Sequence, residues 1–191
     1  MQKVAVFVGS LRADSINLKF AKALEKLADG KLSFFYPDLG ALPLYNDDLW
    51  SNPPASVLKL KEDIERADAV LFVTPEYNRT IPSVLSNALF WGSRPWGKNS
   101  WSDKPGSVVG TSPGGIGTAV AQSHLRSVVT NLDVILMGQP EVYFQTKPGL
   151  IDEASNVTDP QTKAFLEGYV NRFAGWVQRH AQGGVTGVAA E

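Results

Sequence analysis

"GSLRADSIN", residues 9–17, follows the apolar run "VAVFV", residues 4–8. A near-continuous apolar run suits a strand buried on both faces. Beyond the polar stretch, Phe20, Leu24, Leu27 and Ala28 recur at helical spacing, and Gly30 stops the helix. Residues 9–17 are therefore a strand-to-helix turn. A turn that cradles a bridging pyrophosphate carries several glycines, G-x-G-x-x-G, so that bare backbone can approach the ligand. Here a single glycine is followed by Ser10, Arg12, Ser15 and Asn17. This turn offers side chains instead.

The same alternation continues down the chain. "KLSFFYP" (31–37) reads as a second strand. Pro53-Pro54 opens a second helix with Val57, Leu60 and Ile64 on one face and Asn52 as its N-cap. "DAVLFVTP" (68–75) is a third strand, and residues 82–91 form a helix with Pro82 at its start. "PGSVVGTS" (105–112) is a fourth strand. Residues 116–131 are helical, with Ile116, Val120, Val128 and Leu132 in one apolar row. Arg126, Thr118, Gln122 and Thr130 lie on the polar side. "DVILMG" (133–138) is a fifth strand. The last helix lies in 158–180, with Thr158 and Gln161 at capping-box spacing and Pro160 near its first position. Alternating strands and helices with short connections give a parallel sheet covered on both faces. Five strands match an α/β, flavodoxin-like, doubly wound sheet of order 2-1-3-4-5. One domain over 1–182 is expected, with 183–191 a loose tail.

Composition narrows the function. The 191 residues are 43% apolar and 19% charged, with a net charge of −1, which fits a folded domain without a broad nucleic-acid-binding surface. The absence of cysteine excludes disulfides, thiolate metal sites, Fe–S clusters and thiol chemistry. His124 and His180 are the only histidines and stand far apart, which argues against a histidine metal centre. No apolar run reaches membrane-spanning length and no signal-peptide pattern opens the chain, so a cytoplasmic location is expected.

In a doubly wound sheet, ligands bind beyond the carboxyl ends of the strands at the switch point. Three polar loops should converge there: "SLRADSIN" (10–17), "PEYNRT" (75–80) and "SPGGIG" (112–117). The first opens a helix whose free N–H groups favour an anion. Its hydroxyls, amide and guanidinium suit a terminal phosphate. The plainer reading is that Ser15 only caps the helix and Arg12 is solvated. In the second loop, Tyr77 can lie against a flat ring while nearby N–H groups meet ring heteroatoms; otherwise it is a surface turn. The third loop is a glycine-rich opening that lets a ligand approach the backbone.

Gly9-Ser10-x-Arg12-x-x-Ser15-x-Asn17, Pro75-Glu76-Tyr77-Asn78 and Ser112-x-Gly114-Gly115 together resemble the NADPH-dependent FMN reductase family of flavodoxin-like proteins, and within it the bacterial quinone and chromate reductases. The resemblance spans about residues 3–145. It implies noncovalent FMN, with its phosphate held by Ser10, Arg12, Ser15 and Asn17, and with Leu11 and Ile16 in the same turn. It implies that Pro75, Glu76, Tyr77 and Asn78 pass along the isoalloxazine and that Ser112, Gly114 and Gly115 meet its pyrimidine edge. It also implies NADPH or NADH as donor, quinones and chromate as acceptors, and a homo-oligomer, dimer or tetramer; quinones, azo dyes, chromate and free flavin are all compatible with an open flavin face. Flavin chemistry needs no acid–base pair, so no catalytic side chain and no metal is expected; Glu76 is read as an orienting residue.

Arg79, Arg94 and Lys98 follow the second motif and would form a cationic rim if the helix returned them to the pocket mouth. Trp91, Trp96 and Trp101 suit a ring-stacking wall, a subunit interface or the core. Tyr169, Phe173 and Trp176 read as core, His124 as a packed histidine, and His180 as a partner of a helix dipole. Arg126 is a candidate to pair with Glu141 across an interface. Two other classes fit less well. A flavin electron carrier generally presents a strongly acidic surface, and a receiver domain needs an acceptor aspartate where this chain has "VGSLR" and "VTPEYN".

Overall fold

The computed structural model describes residues 1–181. The expected tail, 183–191, lies outside them. The strands are β1 (Gln2–Val8), β2 (Leu32–Phe35), β3 (Ala69–Val73), β4 (Pro105–Ser112), β5 (Ile135–Leu136) and β6 (Val142–Gln145). The helices are α1 (Ile16–Leu27), α2 (Ala55–Glu65), α3 (Ser83–Gly92), α4 (Ala119–Asn131) and α5 (Pro160–Ala181). The sheet runs β2-β1-β3-β4-β5, with β6 also on β4. Every strand pair is parallel.

The continuous apolar runs are explained by a core on each face. Along β1, Val4 and Val6 join Phe20 and Leu24 of α1 and Leu166, Tyr169 and Phe173 of α5. Ala5 and Phe7 point the other way, to Val57, Leu60 and Ile64 of α2 and to α3 and α4. Each residue is buried, but neighbours serve opposite cores. Trp91 and Trp101 are both fully buried here, whereas Trp96 is 89% exposed. The tryptophan-rich stretch is thus largely core.

Register brings the site together. Val8 pairs with Val73, and Val73 with Val109. Gly9 N then donates to Val73 O and Thr74 N to Val109 O, both at 2.9 Å. The three polar loops leave the sheet side by side.

Several local expectations are corrected. The fifth strand is short: Met137 N donates to Gly106 O, and the chain then leaves the sheet. Pro140 has no N–H to offer β4. The chain returns as β6, pairing Val109–Ser112 with Val142–Gln145. Asn52 ends a 3₁₀ turn at Asp47–Ser51, and Pro54 occupies the N-cap of α2. For α5, Asp159 Oδ2 accepts from Thr162 N at 2.7 Å, while the Thr158 hydroxyl turns away to Gly149 O. The cap is therefore Asp159.

The buried row of α4 is Ala121, Gln122, Leu125 and Val129, and both Ile116 and His124 are exposed. Gln122 is buried because Nε2 donates to Thr118 Oγ1 and Val142 O. Arg126 is not a solvated cation: Nη1 and Nη2 donate to Met137 O and Val108 O, and Nε lies 3.8 Å from Glu141 of the same chain. These two side chains fasten the 137–141 excursion and β6 to the domain. Tyr169 and Phe173 are core as read, Trp176 is half-buried, and its ring meets His180.

Candidate functional site

The first turn of α1 presents free hydrogen-bond donors. Ser15 is the N-cap, and its Oγ accepts from Leu18 N at 3.2 Å. Because that bond uses only the oxygen, the hydroxyl proton can still be donated. The amides of Ile16 and Asn17 have no acceptor inside the helix. There is no acidic residue in this first turn. Capping and anion binding, alternatives on sequence grounds, are compatible here.

Arg12 and Asn17 depart from the simple cradle. Arg12 is exposed, and its Nε and Nη2 hold Asp14 at 2.8–3.1 Å. Nη1 remains for another oxyanion. Asn17 is 2% exposed and clamps one residue of β4. Its Nδ2 donates to Thr111 O at 2.9 Å, and its Oδ1 accepts from Thr111 N at 3.0 Å. Asn17 is therefore a strut between α1 and β4, with a single side-chain N–H to spare.

The second loop is a two-residue hairpin. Tyr77 and Thr80 exchange both backbone bonds, and Asn78 (φ 51°) and Arg79 (φ 59°) form the bend. Left-handed backbone at both positions marks a type I′ turn. Asparagine tolerates this; arginine does so at a cost of about 1 kcal/mol. A bond from Arg79 Nη1 to Glu76 Oε1, 2.9 Å, holds the strained residue. The other carboxylate oxygen, Oε2, accepts from Val120 N and Ala121 N at 3.0 Å each. Glu76 is thus an internal cap for α4, supplied from another loop. Burial pushes its carboxyl up, but the Ala121 amide, Arg79 and the Val120 amide together pull it below the ordinary range.

In the third loop, Ser112 Oγ donates to Gly117 O at 2.6 Å and accepts from Gly114 N at 3.2 Å. Gly117 has φ 61°, and a Cβ there would come within 2.8–3.1 Å of the Tyr143 backbone. Gly114 and Gly115 have neither constraint, and the atom nearest a Cβ on Gly115 would be Gln145 Nε2 at 3.9 Å. Packing does not demand glycine there; the Gly114 amide is bonded to Ser112, and that of Gly115 is left open.

These loops enclose a cleft of about 310 Å³. The first supplies Ser10, Arg12, Ser15, Ile16 and Asn17; the second Pro75, Glu76 and Tyr77; the third Ser112. Leu11, Asn78, Gly114 and Gly115 do not line it; Leu11 is 64% exposed beside Gly40. Asp14, Thr111, Pro113 and Thr146 line it without having been expected. Pro113 and Thr111 flank a motif residue and Asp14 sits inside a motif, so adjacency was a usable signal. Thr146 follows β6, a strand that sequence reading did not separate. Larger hollows, about 540, 530 and 450 Å³, lie against Met1 and α5, along α1 beside 153–155, and between 13–22 and 153–155, and none gathers the three loops.

The cationic rim does not form within one chain. α3 starts at the site and runs back along the sheet; its ten residues rise about 15 Å. Beyond it, Lys98 O accepts from Lys61 Nζ of α2, and Lys104 Nζ reaches Glu65 O and Ala67 O just before β3. Arg94 and Lys98 therefore lie towards the opposite end. Arg79 alone stays with the second loop, tied to Glu76.

The charge layout selects one place for an anion. The N-terminal amides of α4 already hold a carboxylate of this chain, whereas those of α1 hold none, the neighbouring Asp14 being paired with Arg12. A parallel sheet of order 2-1-3-4-5 with its polar loops gathered at the strand ends, around one helix N-terminus left free, is flavodoxin-like in form. The profile of the NADPH-dependent FMN reductase family matches residues 2–149. The chain is 49% identical over 176 residues to a 2-hydroxy-1,4-benzoquinone reductase of a Burkholderia species, covering 92% of this chain and 96% of that one. It is 45% identical to a quinone reductase of Pseudomonas putida, covering 92% and 94%. Among solved structures, the flavoenzyme NAD(P)H:(acceptor) oxidoreductase FerB of Paracoccus denitrificans superimposes with a TM-score of 0.93 at 48% identity, over 94% and 99% of the two chains. The chain belongs to the NADPH-dependent FMN reductase family, an oxidoreductase family using FMN and a reduced nicotinamide nucleotide.

Proposed function

We propose that this chain passes two electrons from NAD(P)H, through noncovalent FMN, to quinones and to other small acceptors such as chromate. The observation that carries this reading is the free N-terminus of α1, with Ser10, Arg12 and Ser15 around it, beside an α4 N-terminus neutralised by Glu76. Ser10, Ser15, Arg12 and the amides of Ile16 and Asn17 hold the phosphate. Tyr77 and the backbone of Pro75–Asn78 flank the ring, and Ser112, Gly114 and Gly115 present the third loop to its polar edge. When bound, FMN supplies the two-electron chemistry, accepting hydride from the nicotinamide and reducing the acceptor. The chain binds and orients, and no side chain need move a proton.

Nicotinamide and acceptor use the same cleft in turn, which makes the kinetics ping-pong. Double-reciprocal plots at several fixed quinone concentrations are expected to be parallel; intersecting lines would place both substrates on the protein at once. The cofactor released by acid is expected to be FMN in stoichiometric amount; FAD, or an apoprotein that FMN fails to restore, would overturn the assignment. Arg12→Ala is expected to weaken FMN by about 1–2 kcal/mol, roughly five- to thirtyfold, with riboflavin unaffected, as read by fluorescence titration. The effect is modest because the guanidinium is exposed and already shared with Asp14. The chain works in the cytoplasm as a homo-oligomer, dimer or tetramer. Support for assembly is the apolar surface left by Leu44, Phe90 and Trp96, each more than half exposed. Support for location is that no helix among the described residues is long and apolar enough to cross a membrane.

A further inference from the structure

Thr111 is 1% exposed, and its Oγ1 is buried without a hydrogen-bond partner. A buried hydroxyl left unpaired is costly, and native structures carry few of them. The residue lines the cleft, together with Ser15 and Asn17. Its backbone cannot shift to find a partner, because Asn17 holds both its N–H and its C=O. That same clamp seats Thr111 against the first turn of α1, the anion-binding end. With the backbone clamped, only a turn about χ1 could re-aim the hydroxyl.

We propose that Thr111 is a further binding residue for the cofactor, its hydroxyl donating to a phosphate oxygen of FMN beside Ser15. The proposal rests on the reading that FMN phosphate occupies the α1 turn. It explains why a threonine stands where valine, of the same shape and a better strand former, would fit the unliganded protein at no cost in buried polarity. Thr111 is then a position where the empty domain gives up stability that the cofactor restores.

The test exploits the opposite signs that follow. Thr111→Val is expected to leave the melting temperature of the apoprotein unchanged or raised, because an unsatisfied hydroxyl is removed. It is expected to weaken FMN roughly tenfold or more, the scale of a lost bond to a charged group. Riboflavin, which lacks the phosphate, is expected to bind the variant and the wild type equally. Thr111→Ser, which keeps the hydroxyl, is expected to stay within about threefold of wild type for FMN. Unchanged FMN affinity in the valine variant, an equal loss for riboflavin, a destabilised apoprotein, or a serine variant as weak as valine would each overturn the proposal. A wild-type protein that does not prefer FMN to riboflavin would instead defeat the underlying reading of the α1 turn.

Discussion

Asn17→Ala is expected to lower the stability of the apoprotein by about 2–4 kcal/mol and to weaken FMN at the same time. The loss comes from Thr111, whose buried N–H and C=O would both lose their partner. Neither can reach water, since Thr111 is 1% exposed. Cofactor binding falls because the clamp holds the first turn of α1 in place over β4. Asn17→Asp is a sharper probe. A carboxylate can still accept from Thr111 N, but it cannot donate to Thr111 O, and it brings a negative charge to the end of the cleft proposed to hold the phosphate. The aspartate variant is therefore expected to bind FMN more weakly than the alanine variant. Denaturant unfolding of the apoproteins and FMN titration give the two numbers. An alanine variant of full stability that still loses FMN would make Asn17 a ligand and not a strut.

Glu76→Ala is expected to cost about 2–4 kcal/mol, by stripping the cap from α4 and the partner from the strained Arg79. The effect carries a pH signature. The folded-state carboxyl lies below its ordinary value of 4.5, so the unfolded chain binds the proton more readily. The stabilisation by ionised Glu76 is complete above that ordinary value and is lost as pH falls through the folded value. The stability gap between wild type and Glu76→Gln is thus expected to be constant near neutrality and to shrink in acid. Unfolding measured from roughly pH 7 down to pH 3 tests this. A gap independent of pH would show that packing and not charge holds the loop. The glutamine variant keeps an acceptor for one α4 amide, so it is expected to lose less than alanine at pH 7.

Strand order and the three converging loops were legible in the sequence because both rest on short-range signals. Apolar runs marked β1, β3 and β4, and the polar loops stood out against them. What escaped depended on partners distant along the chain. Glu76 was read as an orienting residue, but the amides that define its role are 44 and 45 residues away. Gln122 and Thr118 were placed on the solvent side of α4, since polar side chains read as outward until β6 is known to supply Val142 O. The rim of Arg79, Arg94 and Lys98 followed nearness in sequence, and the rise of α3 separated its members. Asn17 stands out in the sequence of its turn, but its strut role needs the register of β4.

The interrupted border beyond β4 has a bearing on colloidal behaviour. An outer strand with a long run of unpaired N–H and C=O groups is a template for pairing with a neighbouring molecule. Here that border consists of two residues, a detour through Pro140, and four more residues. The opposite border, β2, is also four residues long. Among the described residues, neither side presents the six- or seven-residue ladder from which cross-β fibrils are built. The detour that Gln122 and Arg126 pin down thus also guards a concentrated solution of the protein against edge-to-edge aggregation.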